Sequence, residues 1–551
     1  MNSIANNIKQ RLSMREPLCD SLDVLAQLTD TLSLTKVPEG DAESNAFMAN
    51  ELAKVKELYP ACSSFEREFP SLAFSIATGV GKTRLMGASI AYLYLKHKIR
   101  NFFILAPNLT IYNKLIRDFD DTGYSKYVFN GIAEFVHNRP IVITGENYNS
   151  KSSGGKMYAD TEIRINIFNI AKFNSDTDSK KGTPRIKRLS EYLGQSYFDY
   201  LSSLNDLVIL MDEAHRYHAD ASKTAINELK PILGLELTAT PIDEKGNVFK
   251  NIVFEYNLAK AFDEGKYVKN PTIAKRKDFV KGDMSDEALD VLKLEDGVSV
   301  HEDAKIELEL YARNYNRPLV KPFILVVAKD TTHANSLLEV IKSDTFFKGY
   351  YKDKVIIVHS NQRGEEKDEN ISQLVSLEDP QNTIEIVIHV NMLKEGWDVT
   401  NLYTIVPLRA ANAQILTEQT IGRGLRLPFD GKRTGVDKVD KLTIIAHENF
   451  EALLKDDQDK KKKKKKVTYA TIEGAENKKE NTVITVPTLT EEKLEEERKV
   501  VSQIPDTKDR QKANSILDAR KAIVNCIPKM NAAVEIHKFD DLSKPEVIQI
   551  L

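Results

Sequence analysis

Apolar and polar positions divide this chain into stretches of different period. Leu22, Leu25, Leu28 and Leu32 recur three or four residues apart, and Phe47–Leu58 continues in that style. That spacing places them on one helix face, so residues 1–69 are expected to form a helical N-terminal segment. From Leu72 the pattern changes. Leu72–Ile76 is a short apolar run that leads into a glycine-rich turn and then the helical Leu85–Leu95. Asn101–Ala106 and the helical Thr110–Phe119 repeat the alternation, and Pro140–Thr144, Ile163–Phe168, Leu207–Met211 and Gly234–Thr238 read as further strands. Strands that are apolar throughout belong to sheets covered on both faces, and helices between them imply a doubly wound parallel sheet.

A second block of the same kind follows. Phe323–Ala328, Val355–His359, Ile384–His389 and Leu402–Pro407 are strand-like, separated by helical stretches such as His333–Ile341. The expectation is an α/β protein of two lobes with a cleft between them. Its segments are a helical 1–69, a first lobe over 70–262, a connecting segment over 263–315, a second lobe over 316–449, and a linker with a partly helical extension over 450–551. Tyr148–Lys187, rich in Ser, Gly, Asn, Asp and Lys, reads as a surface insertion around the Ile163–Phe168 strand. Asp278–Glu307 is acidic and weakly periodic, which suits a connection between cores. Lys460–Lys466 is a homopolymer, and Leu489–Val501 is a charged helix without a strong apolar face.

Composition changes this picture little. The chain has 551 residues, 41% hydrophobic and 29% charged, with a net charge of −3, so a sizeable core is possible and global charge gives no sign of nucleic acid. Cys19, Cys62 and Cys526 are too few and too scattered for a disulfide framework or a zinc site. Met1–Leu12 lacks the apolar core of a signal peptide, and no apolar run approaches the roughly 20 residues that span a bilayer. A soluble cytoplasmic protein with no membrane partner is expected.

Ala77-Thr78-Gly79-Val80-Gly81-Lys82-Thr83 follows a strand and opens a helix. Glycines let the backbone turn so that several N–H groups face one concavity, and the helix N-terminus adds partial positive charge. This is the context that separates a phosphate-binding loop from a chance match. Lys82 would neutralise the β- and γ-phosphates of ATP, and the Thr83 hydroxyl would ligate Mg²⁺. Leu207–Met211 ends in Asp212-Glu213-Ala214-His215. A carboxylate at the C-terminal end of a parallel strand faces the ligand crevice, where Asp212 can hold Mg²⁺ and Glu213 can orient or deprotonate the attacking water. Taken alone such a pair is a solvated strand end, but Lys82 in the same block reverses that balance. In Gln419-Thr420-Ile421-Gly422-Arg423-Gly424-Leu425-Arg426 two arginines lie three apart, on one face if helical. Guanidinium forks suit charge developing on a transferring phosphoryl group. Gly422 and Gly424 oppose helix propensity by about 1 kcal/mol each, which suggests close backbone approach to something.

Over about residues 70–430 these elements together resemble helicase superfamily 2, which implies two tandem RecA-like lobes. Lys82–Thr83 looks like motif I and Ala106-Pro107-Asn108 like motif Ia. Asp212–His215 is similar to a DEAH-box motif II, and Thr238-Ala239-Thr240 to motif III. Glu395-Gly396-Trp397-Asp398-Val399 resembles motif V and Gln419–Arg426 motif VI. The resemblance implies nucleotide contacts from Asp212 and Gln419. Catalytic roles fall to Lys82, Glu213, Arg423 and Arg426. Coupling would run through His215, Thr238, Ala239, Thr240, Gly396 and Asp398. Pro107, Asn108, Thr110, Lys329, Thr331 and Thr400 would contact nucleic acid, on the side opposite the ATP cleft.

Lys394–Val399, Ile421–Pro428 and Leu12-Ser13-Met14-Arg15-Glu16-Pro17 resemble, more narrowly, the motor of type III restriction enzymes. That family implies an ATP-driven translocase on duplex DNA, partnered by a methyltransferase subunit that reads the site. Two departures stand out. Leu18 occupies the place of a glutamine that reads adenine. Pro505-Asp506 is followed only by Glu535-Ile536-His537-Lys538, one residue too long for the family's nuclease signature. An RNA helicase or remodeller using the same motor, and a non-hydrolysing ATP-gated subunit, are the alternatives. For Lys460–Lys466 a solvated linker outweighs a phosphate contact.

Overall fold

The structure is a computed structural model, which describes residues 2–148, 162–170, 187, 195–243, 246–276, 284–359, 373–374, 376–390, 399–408, 422, 424–429, 431–445, 468–472, 489–502 and 506–530. Met1–Ile472 forms one compact unit and Glu473–Leu551 a second.

The first unit is built on two seven-stranded parallel sheets, most of whose strands carry an apolar run long enough to cross a core. One sheet comprises β1 (Ser71–Ile76), β2 (Asn101–Ala106), β3 (Ile141–Thr144), β4 (Arg164–Asn169), β5 (Leu207–Asp212), β6 (Leu233–Thr238) and β7 (Ile252–Tyr256), in the order β3-β4-β2-β5-β6-β1-β7. The other comprises β8 (Asn270–Arg276), β9 (Phe323–Val327), β10 (Val355–His359), β11 (Ile386–Val390), β12 (Leu402–Pro407), β13 (Lys441–Ile445) and β14 (Thr468–Ile472), ordered β10-β11-β9-β12-β13-β8-β14. Residues of β1, β2, β4, β5 and β6 are buried throughout. Helices therefore cover both faces, as the unbroken apolar runs predict. The two expected α/β lobes, each built on its own parallel sheet, are present.

Three helices, α1 (Ser3–Arg11), α2 (Glu16–Thr29) and α3 (Asp41–Leu58), precede the first lobe. The leucine stripe of α2 packs into the first lobe's core: Leu18, Leu22, Leu25 and Leu28 are all buried. α4 (Lys82–His97) follows the glycine-rich turn, and α5 (Leu109–Asp120) follows β2.

The expected connecting segment over 263–315 has structure of its own. It supplies β8, paired in parallel with β13 and β14, and a 30-residue helix, Asp286–Tyr315, packed on β9, β12 and β13. Its weak apolar periodicity has a physical cause, because Asp290, Lys293, Asp296 and His301 are among its buried residues. Asp296 is held by Arg276, Nη2 to Oδ1 at 2.8 Å. The linker expected from residue 450 likewise contains β14, the edge strand of the second sheet. β7 and β13, not read as strands from the sequence, complete the two sheets. In the second unit Leu489–Ser502 and Thr507–Met530 are helices, joined by an ion pair from Arg520 Nη1 to Glu497 Oε2 at 2.9 Å. No helix among the described residues is long and apolar enough to cross a membrane.

At the N-terminal ends of the second lobe's strands, Glu385 gathers His301 Nε2 at 3.1 Å, Lys305 Nζ at 2.9 Å and Lys354 Nζ at 2.8 Å. Burial pushes this carboxyl upward, but the hydrogen bonds from His301, Lys354 and Lys305 outweigh it and hold the pKa well below the ordinary 4.5. A depressed folded pKa contributes stability above the unfolded value, which is lost as pH falls through the folded one. Glu385→Gln is therefore expected to cost about 3 kcal/mol at neutral pH. Acid titration of the melting temperature should show the gap between wild type and variant narrowing below pH 4.5. A gap independent of pH would contradict this assignment.

Candidate nucleotide site between the two lobes

β1 delivers the chain to a turn in which Gly79 (φ 84°) and Gly81 (φ 125°) take conformations that L side chains rarely adopt. Lys82 then begins α4, with Gly81 as the preceding cap. β5 runs parallel to β2 and β6, and its last residue is Asp212. Glu213 follows in the left-handed region at φ 51°, a costly place for a non-glycine residue that an active site commonly holds. Both strands thus discharge their polar ends at the same edge of the sheet.

A cavity of about 1470 Å³ opens there. Ala77–Thr83, Asp212, Glu213 and His215 line it from the first lobe, and Gly422 and Arg426 from the second. Lys82 Nζ lies 3.0 Å from Glu213 Oε1. Burial raises the Asp212 carboxyl to about 6, helped by the Glu213 charge and opposed by Lys82 and Lys114. A cation at this edge would relieve that strain, so Asp212 with Thr83 fits a Mg²⁺ ion. His215 Nδ1 is 3.0 Å from Thr238 Oγ1, which in turn accepts from Thr240 N–H at 3.1 Å. A hydrogen-bonded link therefore runs from the end of β5 to the end of β6, and burial pushes the His215 pKa down. Ala239 and Thr240 also face the cavity.

Arg426 crosses from the second lobe. A Cβ built on Gly79 would stand 3.1 Å from Arg426 Cγ, so this side chain lies directly on the phosphate loop. Burial lowers its pKa to about 10, against the attraction of Glu213, Glu378 and Asp212; it therefore stays cationic at neutral pH. The two glycines that oppose helix propensity have their explanation. A Cβ at Gly422 would meet Thr78 Cβ at 3.3 Å, and one at Gly424 would meet the Leu442 methyls at 2.8 Å. Gly396, Asp398, Gln419 and Arg423 lie outside the described residues.

The expected nucleic-acid residues divide. Pro107, Asn108 and Thr400 line the same cavity as the phosphate loop. Asn108 caps α5 through Ile111 N–H at 2.9 Å, and Thr400 donates to Glu378 Oε1 at 2.7 Å. Lys329 pairs with Asp290 at 3.3 Å. Thr331 begins the helix capped by Asp330, and Thr110 lies in the first turn of α5. Sequence reasoning missed Lys114 and Asp118, which line the cavity from α5. A signal existed, since buried Asp118 continues the apolar stripe of Ile111 and Leu115. Arg15, from the turn between α1 and α2, was also missed as a site residue.

Residues 46–243 match the family described as type III restriction enzyme, res subunit. Over that segment, which spans most of the first lobe, the chain is similar to this family. The chain is 28% identical to the EcoP15I Res subunit of Escherichia coli, over 24% of this chain and 17% of that protein. It is 26% identical to the EcoPI Res subunit of Escherichia phage P1, over 26% of this chain and 14% of that one. It thus spans less than a fifth of either relative's length. Among solved structures, a fragment of a putative type I HsdR subunit from Vibrio vulnificus YJ016 superposes with a TM-score of 0.44 at 16% identity, covering 85% of this chain and 73% of that one. The type ISP enzyme LlaBIII bound to DNA gives 0.43 at 14% identity, covering 80% and 32%.

Proposed function

We propose that this chain is an ATP-driven DNA motor, a helicase or translocase that hydrolyses ATP in the cleft between its lobes. The observation that carries this reading is the convergence of Lys82, Asp212, Glu213 and Arg426 on one cavity, with the arginine supplied by the opposite lobe. The phosphate loop would cradle the β- and γ-phosphates, whose charge competes with Glu213 for Lys82. Thr83 and Asp212 would hold Mg²⁺, which would neutralise charge on the phosphates. Freed from Lys82, Glu213 takes the proton of the attacking water or orients it. Arg426, with Arg423 three residues before it, stabilises charge on the transferring phosphoryl group only while the lobes are closed. His215, Thr238, Ala239 and Thr240 carry the change in the cleft toward the nucleic acid, with Gly396 and Asp398 as counterparts in the second lobe. Pro107, Asn108, Thr110, Lys329, Thr331 and Thr400 are the candidate contacts to that strand.

The Res-like segment favours duplex DNA as substrate and a methyltransferase subunit as the partner that reads sequence. Steady-state ATP hydrolysis with matched duplex DNA and duplex RNA tests the choice. Duplex DNA should stimulate turnover at least about tenfold more than RNA, a difference of about 1.4 kcal/mol. Stimulation by RNA alone would replace this reading with that of an RNA helicase.

A further inference from the structure

The turn between α1 and α2 presents a side chain to both lobes at once. Ser13 is left-handed (φ 47°) and Met14 N–H bonds to the Lys9 carbonyl at 3.0 Å, which closes the turn. Arg15 then stands in extended backbone (φ −68°, ψ 151°) at the start of α2. Because α1 and α2 pack on α4, Arg15 belongs mechanically to the first lobe. Its Nη1 donates to the carbonyls of Gly79 at 2.6 Å and Val80 at 3.0 Å, both in the phosphate loop. Its Nη2 donates to the carbonyl of Gly431, in the second lobe, at 2.6 Å. The guanidinium carbon also lies 5.4 Å from the ring centroid of Tyr267. Tyr267 sits in the crossing between Leu258–Glu264, the last helix of the first lobe, and β8 of the second. Gly431 is left-handed at φ 65°, and a Cβ there would stand 2.0 Å from Arg15 Nη2. Only glycine admits this grip.

We propose that Arg15 is a positioning residue that latches the phosphate loop to the second lobe, so that lobe closure and the order of the loop amides change together. This rests on the nucleotide reading of the cavity given above. A trans peptide points its N–H opposite to its C=O. Holding the Val80 carbonyl therefore turns the Gly81 amide, which lines the cavity, away from the guanidinium. The same fork grips Gly431, close in sequence to Arg426, the arginine that reaches the phosphate loop. When the lobes part, the fork must release either the loop or Gly431. Arginine suits this task because one rigid plane carries five donors, whereas a lysine ammonium cannot span two segments in fixed geometry.

The test compares wild type with Arg15→Ala, Arg15→Lys and Gly431→Ala in the full chain. Dyes on Val136→Cys and Glu309→Cys, in a Cys19→Ser, Cys526→Ser background, report the distance between lobes with and without a non-hydrolysed ATP analogue and Mg²⁺. Each of the three variants should broaden and lengthen that distance. Analogue affinity should stay within about threefold of wild type, while kcat falls about 10²-fold, the cost of misplacing a reacting group by about 1 Å. The effects of Arg15→Ala and Gly431→Ala should not add, since either removes the same contact. If Arg15→Ala fails to fold, Arg15→Lys and Gly431→Ala carry the same comparison. A wild-type distance distribution in the Arg15 variants overturns the latch, whatever their kcat. A wild-type chain that binds no ATP would defeat the nucleotide reading, and the distance measured without nucleotide would still decide the latch.

Discussion

Lys82→Ala is expected to abolish ATP turnover, lowering it by about 10³-fold or more. Two losses combine. The phosphate loop keeps its amides but loses the cation that would sit against the β- and γ-phosphates. The carboxylates opposite it lose the charge that Lys82 Nζ places 3.0 Å from Glu213. Lys82 is also one of the charges that oppose the upward shift of Asp212. In its absence that carboxyl moves further toward the protonated form at neutral pH, so a Mg²⁺ ligand is weakened as well. Phosphate release at saturating ATP measures the loss, and an unchanged thermal melt separates it from misfolding. Wild-type turnover in this variant would remove the cavity from the mechanism.

Arg426→Ala should behave differently. It is expected to leave ATP binding within a few-fold of wild type while lowering kcat by about 10³-fold, the lower end for an arginine that meets the transferring phosphoryl group. The contrast follows from where the side chain comes from. Thr78–Thr83 and Asp212 belong to the first lobe and form the cradle without it, whereas Arg426 arrives from the second and lies over Gly79. Equilibrium binding of a fluorescent ATP analogue, set beside kcat, checks the split. Lost binding with intact chemistry would make Arg426 a ground-state anchor instead.

Much of the site was legible because its chemistry is local in sequence. The β1 run, the glycines and Lys82 are contiguous, and so are β5, Asp212 and Glu213; a strand end fixes where each polar group points. Gly422 and Gly424 announced a close approach, though not that Thr78 and Leu442 are what they approach. Features whose partners are distant in sequence were hidden. Arg15 is an unremarkable arginine until the fold brings the carbonyls of Gly79, Val80 and Gly431 around it. The 30-residue helix of the second lobe escaped notice for a related reason. Its core-facing positions carry Asp290, Lys293 and Asp296, and buried charge of this kind is admitted only by partners such as Arg276 and Lys329 on other elements. Apolar periodicity cannot register such positions. β8 and β14 lack the unbroken apolar runs of the central strands, with Asn270-Pro271-Thr272 opening one and Thr468-Tyr469-Ala470-Thr471 forming most of the other.

In the proposed function, two lobes share one nucleotide site and hydrolysis there drives a motor. Phosphate release from ATP by the full chain, followed with Mg²⁺ present or chelated as duplex DNA is titrated in, tests it most directly. Turnover is expected to require Mg²⁺, to rise with DNA and to disappear in both Lys82→Ala and Arg426→Ala. A wild-type chain that binds ATP and releases no phosphate under any of these conditions would contradict it.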